Sequence, residues 1–159
     1  MAKPLAVGAA FPDFKLPGLL LGPDAAHRRD YRLGDAGSRP VVLAFYPGDD
    51  TLVCTRQLCS YTSGLERFTE LGAEVWGISP QDLDSHERFA RKHQLRIPLL
   101  TDQGEALAEA CGITLPGLGL RRSVFVVDGT GVIRWRHVAL AGVTFRSTDA
   151  LVKQLAALA

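Results

Sequence analysis

Cysteine is scarce in this 159-residue chain: Cys54, Cys59 and Cys111, an odd number that cannot all be paired within one molecule. Permanent staples are not expected from such a set in a reducing compartment. No charge of one sign dominates either. Eighteen Lys and Arg stand against 17 Asp and Glu, a formal net charge of +1, and the two signs are interspersed, so no polybasic face argues for nucleic acid. Long apolar runs are missing. The longest uncharged stretch near the start, Pro4 to Pro12, is too short and too broken by proline and glycine for a signal peptide or a membrane span. A cytoplasmic protein is expected. Repeats, linkers and low-complexity segments are absent, and a chain of this length is read as one domain over 1–159. A C-x-x-C pair is absent too, which argues against a thioredoxin-type disulfide oxidoreductase. His27, His86, His93 and His137 are scattered, so no metal site forms readily around Cys54 and Cys59. No cofactor is implied.

What is present is a buried-type composition, 47% hydrophobic against 22% charged, with clear punctuation. Residues 1–40 read as loops and short strands. Val41 to Tyr46 is a continuous apolar run bounded by breakers, as in a strand buried on both faces. Leu58, Tyr61, Leu65, Phe68 and Leu71 recur at helical spacing, which predicts one helix over residues 53–71 before Gly72. Glu74 to Ser79 predicts a second buried strand. Asp84 is taken to cap a helix running to about His93, and Pro98 to Thr101 to form a short strand. Asp102 is taken to cap a helix from Gly104 to about Cys111. Asp128-Gly129-Thr130-Gly131 predicts a hairpin joining strands at 123–127 and 132–138. A last amphipathic helix is expected from Asp149 to Leu158, and Trp76 and Trp135 are read as core. Strands alternating with helices predict a thioredoxin-like α/β fold, a mixed central sheet flanked by helices.

The stretch FYPGDDTLVCTRQLC, residues 45–59, carries the chemistry. Cys54 falls where a strand has ended and a helix begins. The first helical turn offers backbone N–H groups without intrahelical partners and the positive end of the helix dipole, so a thiolate is stabilised there. Thr51 can hydrogen-bond the sulfur or a bound substrate, and Pro47 directs the chain off the strand and shields the thiolate. On these residues alone the thiols remain open to reading as ligands, catalyst or packing. For Cys111, before Gly112, packing is the expected role.

Pro47-x-x-x-Thr51-x-x-Cys54 resembles the active-site signature of peroxiredoxins. Phe45-Tyr46-Pro47 ahead of it, and Cys59 five residues on, resemble the bacterioferritin-comigratory-protein or PrxQ subgroup. Pro98-Leu99-Leu100-Thr101-Asp102, Cys111-Gly112-Ile113 and Arg122-Ser123-Val124-Phe125-Val126-Val127-Asp128 continue the likeness in order. The resemblance implies a peroxidase in which Cys54 attacks a hydroperoxide and becomes a sulfenic acid. Thr51 would hold the peroxide, and Arg122, rather than the adjacent Arg121, would stabilise thiolate and transition state. Cys59 would resolve the sulfenic acid as a disulfide, reopened by thioredoxin or a similar dithiol. A monomer or loose dimer is implied.

Helix geometry tests the implied pairing. Five residues make about 7.5 Å of rise and place the two Cα atoms about 8.7 Å apart, whereas a disulfide wants less than about 7 Å. The bridge therefore requires part of the helix to unwind. The other readings are a one-cysteine peroxidase using an external thiol, and a redox sensor or chaperone without turnover. Four departures from the family pattern stand near the site: Asp50 for an aromatic residue, Leu52 for proline, Gln57 for glutamate, and Ser79-Pro80-Gln81 for a Ser-x-Asp run. Asp50 is expected to add negative charge near the thiolate and Leu52 to loosen the turn leading to it, so the departures are expected to alter efficiency rather than abolish activity.

Overall fold

A computed structural model of the chain describes residues 3–117, 119–139 and 145–158. The apolar run at 41–45 forms β3 (Val41–Phe45), buried at every position. Alternation sends Val42 and Ala44 to one side of the sheet and Val41, Leu43 and Phe45 to the other, so each set enters a different core. Before it lie β1 (Lys15–Leu21) and β2 (Ala26–Arg32). After it come α1 (Leu52–Ser63), α2 (Leu65–Glu70), β4 (Glu74–Ser79), α3 (Leu83–His93), β5 (Leu99–Thr101) and α4 (Ala106–Ala110). The chain continues through β6 (Thr114–Leu115), β7 (Gly119–Leu120), β8 (Ser123–Val127), β9 (Ile133–Val138) and α5 (Thr148–Ala156).

Among the described residues one sheet of seven strands runs in the order β2-β1-β5-β4-β3-β8-β9, and β6 and β7 pair by themselves. Strands β3, β4 and β5 are parallel, as their helical crossovers require, and β8 joins β3 antiparallel. One core holds Tyr46, Leu58, Tyr61, Phe68, Phe89 and Leu155, on the side of α1, α2, α3 and α5. The other holds Phe11, Trp76, Leu107, Cys111, Phe125 and Ile133. Burying each such large side chain contributes about 1.5–3 kcal/mol before the entropy of ordering it is subtracted. The thioredoxin-like mixed sheet flanked by helices is the architecture found.

Several local expectations are corrected. The helix read over 53–71 is two helices broken at Gly64, where Thr148 of α5 crosses. A Cβ on Gly64 would lie 2.4 Å from Thr148 Cγ2. Gly64→Ala is expected to destabilise by about 1–3 kcal/mol through that overlap, lowering Tm by roughly 2–10 °C. Calorimetry checks this; an unchanged Tm would mean that Thr148 yields without cost. The helix assigned to an Asp84 cap begins two residues earlier. Asp82 is its N-cap, accepting from Ser85 N at 2.8 Å, and Asp84 lies in the first turn bound to Arg28. Asp102 holds α4 from a distance, accepting from Leu107 N at 3.0 Å and Ala108 N at 2.9 Å across a 3₁₀ turn at Gln103–Glu105. The hairpin after β8 is as expected. Asp128 accepts from Thr130 N and Val132 N at 2.9 and 3.1 Å. The last helix starts at Thr148, capped by Ser147. The segment at 1–40 is more regular than expected: β1 and β2 are seven residues each, and β2 is a mostly exposed, charged edge.

Candidate active site

Cys54 and Arg122 meet because of sheet register. In the β3–β8 pair Phe45 faces Ser123. One step beyond, Tyr46 leaves β3 and Arg122 enters β8, so both emerge at the same sheet end, where α1 begins. Thr51 is the extended N-cap of α1, and Cys54 is its third residue, fully buried. Arg122, 3% exposed, donates from Nη2 to Cys54 Sγ at 3.0 Å. Its Nη1 donates to Gln57 Oε1. Gln57 Nε2 donates to Tyr61 Oη at 3.2 Å, and that hydroxyl donates to the Arg146 carbonyl at 2.8 Å. Each bond fixes the direction of the next, so the guanidinium is oriented by a buried chain ending on backbone. Burial pushes the Tyr61 phenol up to about 12, against the opposing bond from Gln57 and the Arg122 charge, so it serves as a neutral O–H here. Gln57 therefore fills the place of a glutamate as an acceptor for Arg122 without adding charge.

The other sequence-selected residues fall as follows. Thr51 Oγ1 donates to the Gly48 carbonyl at 3.2 Å, bracing the loop. Its proton is therefore directed at that carbonyl, not at the sulfur, while its oxygen keeps acceptor capacity. Pro47 is exposed on the loop. Arg121 points elsewhere, donating from Nε to the Ala139 carbonyl at 3.1 Å. Leu52, 68% exposed, opens α1 beside the site. Asp50 was expected to place negative charge near the thiolate. Its backbone is left-handed, φ +59°, and its carboxylate turns to α3, meeting Lys92 Nζ at 2.9 Å and His93 Nε2 at 3.1 Å. Bonds from Lys92 and then His93 hold that carboxyl below its usual range.

Cys54, Cys59 and Cys111 are all free thiols. Cys59 is half-buried on the same unbroken helix as Cys54, and burial raises its thiol above the ordinary value. Cys111 is fully buried; burial, and after it the charge of Asp102, pushes its thiol up to about 12. That thiol is inert packing. Among the described residues no group of three or more His, Cys, Asp or Glu side chains could hold a metal ion.

Sequence reasoning missed a second polar cluster behind the loop. Asp49 Oδ1 accepts from Tyr46 Oη at 2.7 Å. Its Oδ2 accepts from Ser85 Oγ at 2.8 Å and lies 2.7 Å from His86 Nδ1. The Tyr46 phenol is pushed well above its usual range, by burial first and then by the Asp49 carboxylate, with a smaller contribution from the neighbouring Cys54. A readable signal existed. His86 sits three and four residues before Phe89 and Ala90, on the buried face of α3.

A family model described as the AhpC/TSA family matches residues 7–136. Peroxiredoxin Q, chloroplastic, of Oryza sativa subsp. japonica is 41% identical over 103 residues, covering 61% of this chain and 46% of that protein. Its counterpart in Sedum lineare is 38% identical over 112 residues, covering 67% and 58%. The chain thus spans about half the length of the curated relatives it matches. In overall fold it is similar to Mycobacterium tuberculosis AhpC, with a TM-score of 0.87 at 22% identity over 98% of this chain and 94% of that one. Enterococcus faecalis AhpC gives 0.86 at 23% over 96% and 91%. The matched span takes in β3, the loop, α1 and Arg122 together, and on that ground the chain belongs to the AhpC/TSA family.

Proposed function

We propose that this chain is a thiol-dependent peroxidase acting on hydrogen peroxide and organic hydroperoxides through Cys54. The observation that carries the reading is the bond of 3.0 Å from the buried Arg122 to Cys54 Sγ, which sets a fixed positive charge against the sulfur. The Cys54 thiolate attacks the terminal oxygen of ROOH. The S–O bond forms as the O–O bond breaks, Cys54 becomes a sulfenic acid, and the alkoxide leaves and takes a proton as ROH. Arg122 faces the charge developing on the leaving oxygen. Thr51 Oγ1, its own proton engaged with Gly48, accepts from the hydroperoxide O–H and aims it.

Oxidation also releases the first turn of α1. A sulfenic sulfur is neutral, so the attraction between opposite charges is lost from its contact with Arg122 and that contact weakens. The rest of α1 is firmly held. Leu58, Tyr61 and Thr62 are buried, Tyr61 is tied to Arg146, and Ser60 to Thr148 at 3.2 Å. Between this anchor and the loop, Thr51, Leu52 and Arg56 are exposed and Val53 and Thr55 only half-buried. Local opening favours such a segment. It lets Cys54 swing to Cys59; the two sulfurs join as water leaves, and a dithiol such as thioredoxin reduces the bridge while becoming a disulfide itself.

The test is turnover. A catalytic amount of protein with excess hydrogen peroxide and either thioredoxin with its reductase or a small dithiol is expected to consume many equivalents. Oxidation that stops at one equivalent would overturn the peroxidase reading in favour of a sensor. Cys59→Ser is expected to accumulate a dimedone-reactive sulfenic acid at Cys54 and to stop thioredoxin-linked recycling. A bridge from Cys54 to Cys111 in the unaltered protein would contradict the role given to Cys59.

A further inference from the structure

The loop that forms the site is fastened to α3 by a buried group that touches neither sulfur nor substrate. Asp49 is its hub. Tyr46 Oη, Ser85 Oγ and His86 Nδ1 converge on its carboxylate within 2.7–2.8 Å, and its backbone N donates to Gln81 Oε1 at 3.1 Å. The pair is dry: the His86 side chain is 0% exposed and that of Asp49 3%. His86 reaches onward through Nε2 to the Leu100 carbonyl of β5 at 3.0 Å. A carbonyl only accepts, so that nitrogen carries a hydrogen, and the ring spans loop and sheet as a strut. Tyr46 is wedged beside it, its ring 6.4 Å from His86 and 6.3 Å from Phe89, over Gly77, where a Cβ would stand 3.2 Å from Tyr46 Cε1.

These contacts hold one side of the site, and the sheet holds the other. Arg122 is fixed by β8, whereas Cys54 hangs from the loop through a first helical turn in which it alone is buried. The separation of sulfur and guanidinium therefore depends on where the loop is held. A carboxylate is costly to bury without partners, so the groups that meet Asp49 hold it, and through it the loop, against α3.

We propose that Asp49 and His86 are positioning residues, a clasp that sets the reduced-state geometry of Cys54 and resists the unwinding that brings it to Cys59. The proposal rests on the peroxidase reading and extends it. A single attachment then acts on two steps with opposite sign. It speeds attack by keeping the sulfur against Arg122, and it slows disulfide formation by tethering the segment that must move. The length of time Cys54 spends as a sulfenic acid, open to a second peroxide and irreversible oxidation, is set by this clasp.

The experiment measures both steps by stopped flow in Asp49→Ala and Asp49→Asn. The attack rate is taken in a Cys59→Ser background and the disulfide rate with Cys59 present. Asp49→Ala is expected to slow attack about ten-fold or more, since sub-ångström misplacement has effects of that order, and to accelerate disulfide formation several-fold. Asp49→Asn keeps an acceptor for Tyr46 and is expected to recover part of both. Ile133→Ala, in the core on the opposite face and chosen for a similar loss of Tm, is expected to change neither rate appreciably. If Asp49→Ala does not fold, Ser85→Ala removes one of the three groups that meet the carboxylate and is expected to shift both rates in the same directions by a smaller factor. Both rates unchanged, both slowed, or the same pattern from Ile133→Ala would overturn the clasp. Failure of the unaltered protein to form the Cys54–Cys59 bridge would instead remove the resolving role of Cys59, while the attack arm would still test the clasp.

Discussion

Cys54→Ser is expected to consume no hydroperoxide above the uncatalysed background, a loss of about a thousand-fold or more in kcat/KM. The change replaces one atom in a fully buried site, so the fold is retained and the chemistry is not. A serine hydroxyl is a far weaker acid and a far poorer nucleophile than a cysteine thiol, and a protonated oxygen does not displace at a peroxide. Neither remaining thiol substitutes for it. Cys111 is sealed in the second core with its thiol pushed up to about 12, and Cys59 stands away from Arg122 with its thiol raised by burial. Coupled turnover and peroxide loss measured directly check the result. Retained turnover in this variant would end the assignment.

Arg122→Ala is the second large effect. It removes the donor at 3.0 Å from the sulfur and leaves the Gln57 Oε1 acceptor without its guanidinium partner. Loss of one preorganised donor at developing charge lowers rates by about 10²–10³-fold, and a comparable fall in the rate of Cys54 oxidation is expected. An unsatisfied buried amide adds a stability cost of about 1–3 kcal/mol. Arg122→Lys keeps the charge but cannot serve both the sulfur and Gln57 with one planar fork, so an intermediate rate is expected. A larger effect from Arg121→Ala would contradict the geometry, because that side chain bonds the Ala139 carbonyl.

The parts of the fold legible in the sequence were those written in local pattern. The apolar run at 41–46 announced a doubly buried strand, and Asp128-Gly129 announced the hairpin that returns β9 along β8. Arg122 was preferred to Arg121 on the family resemblance, strand alternation adding only that the two face opposite ways. What stayed hidden depended on distant partners. The break at Gly64 exists because Thr148, 84 positions later by the numbering, fills the space a side chain would need. Asp49 looked like an ordinary turn residue, and its partner His86 like one of four scattered histidines; only folding brings α3 over the loop. Asp50 misled for a related reason. Its charge was visible, but the left-handed backbone that turns it towards Lys92 and His93 was not.

The central claim is that Cys54 is the atom that meets peroxide and Cys59 the one that answers it. Intact mass followed by peptide mapping, after one equivalent of hydrogen peroxide is added to the fully reduced protein, tests this most directly. The expected result is a loss of two hydrogens, with Cys54 and Cys59 linked in one peptide and Cys111 still free. An unchanged mass, or oxidation confined to another residue with Cys54 intact, would contradict the account.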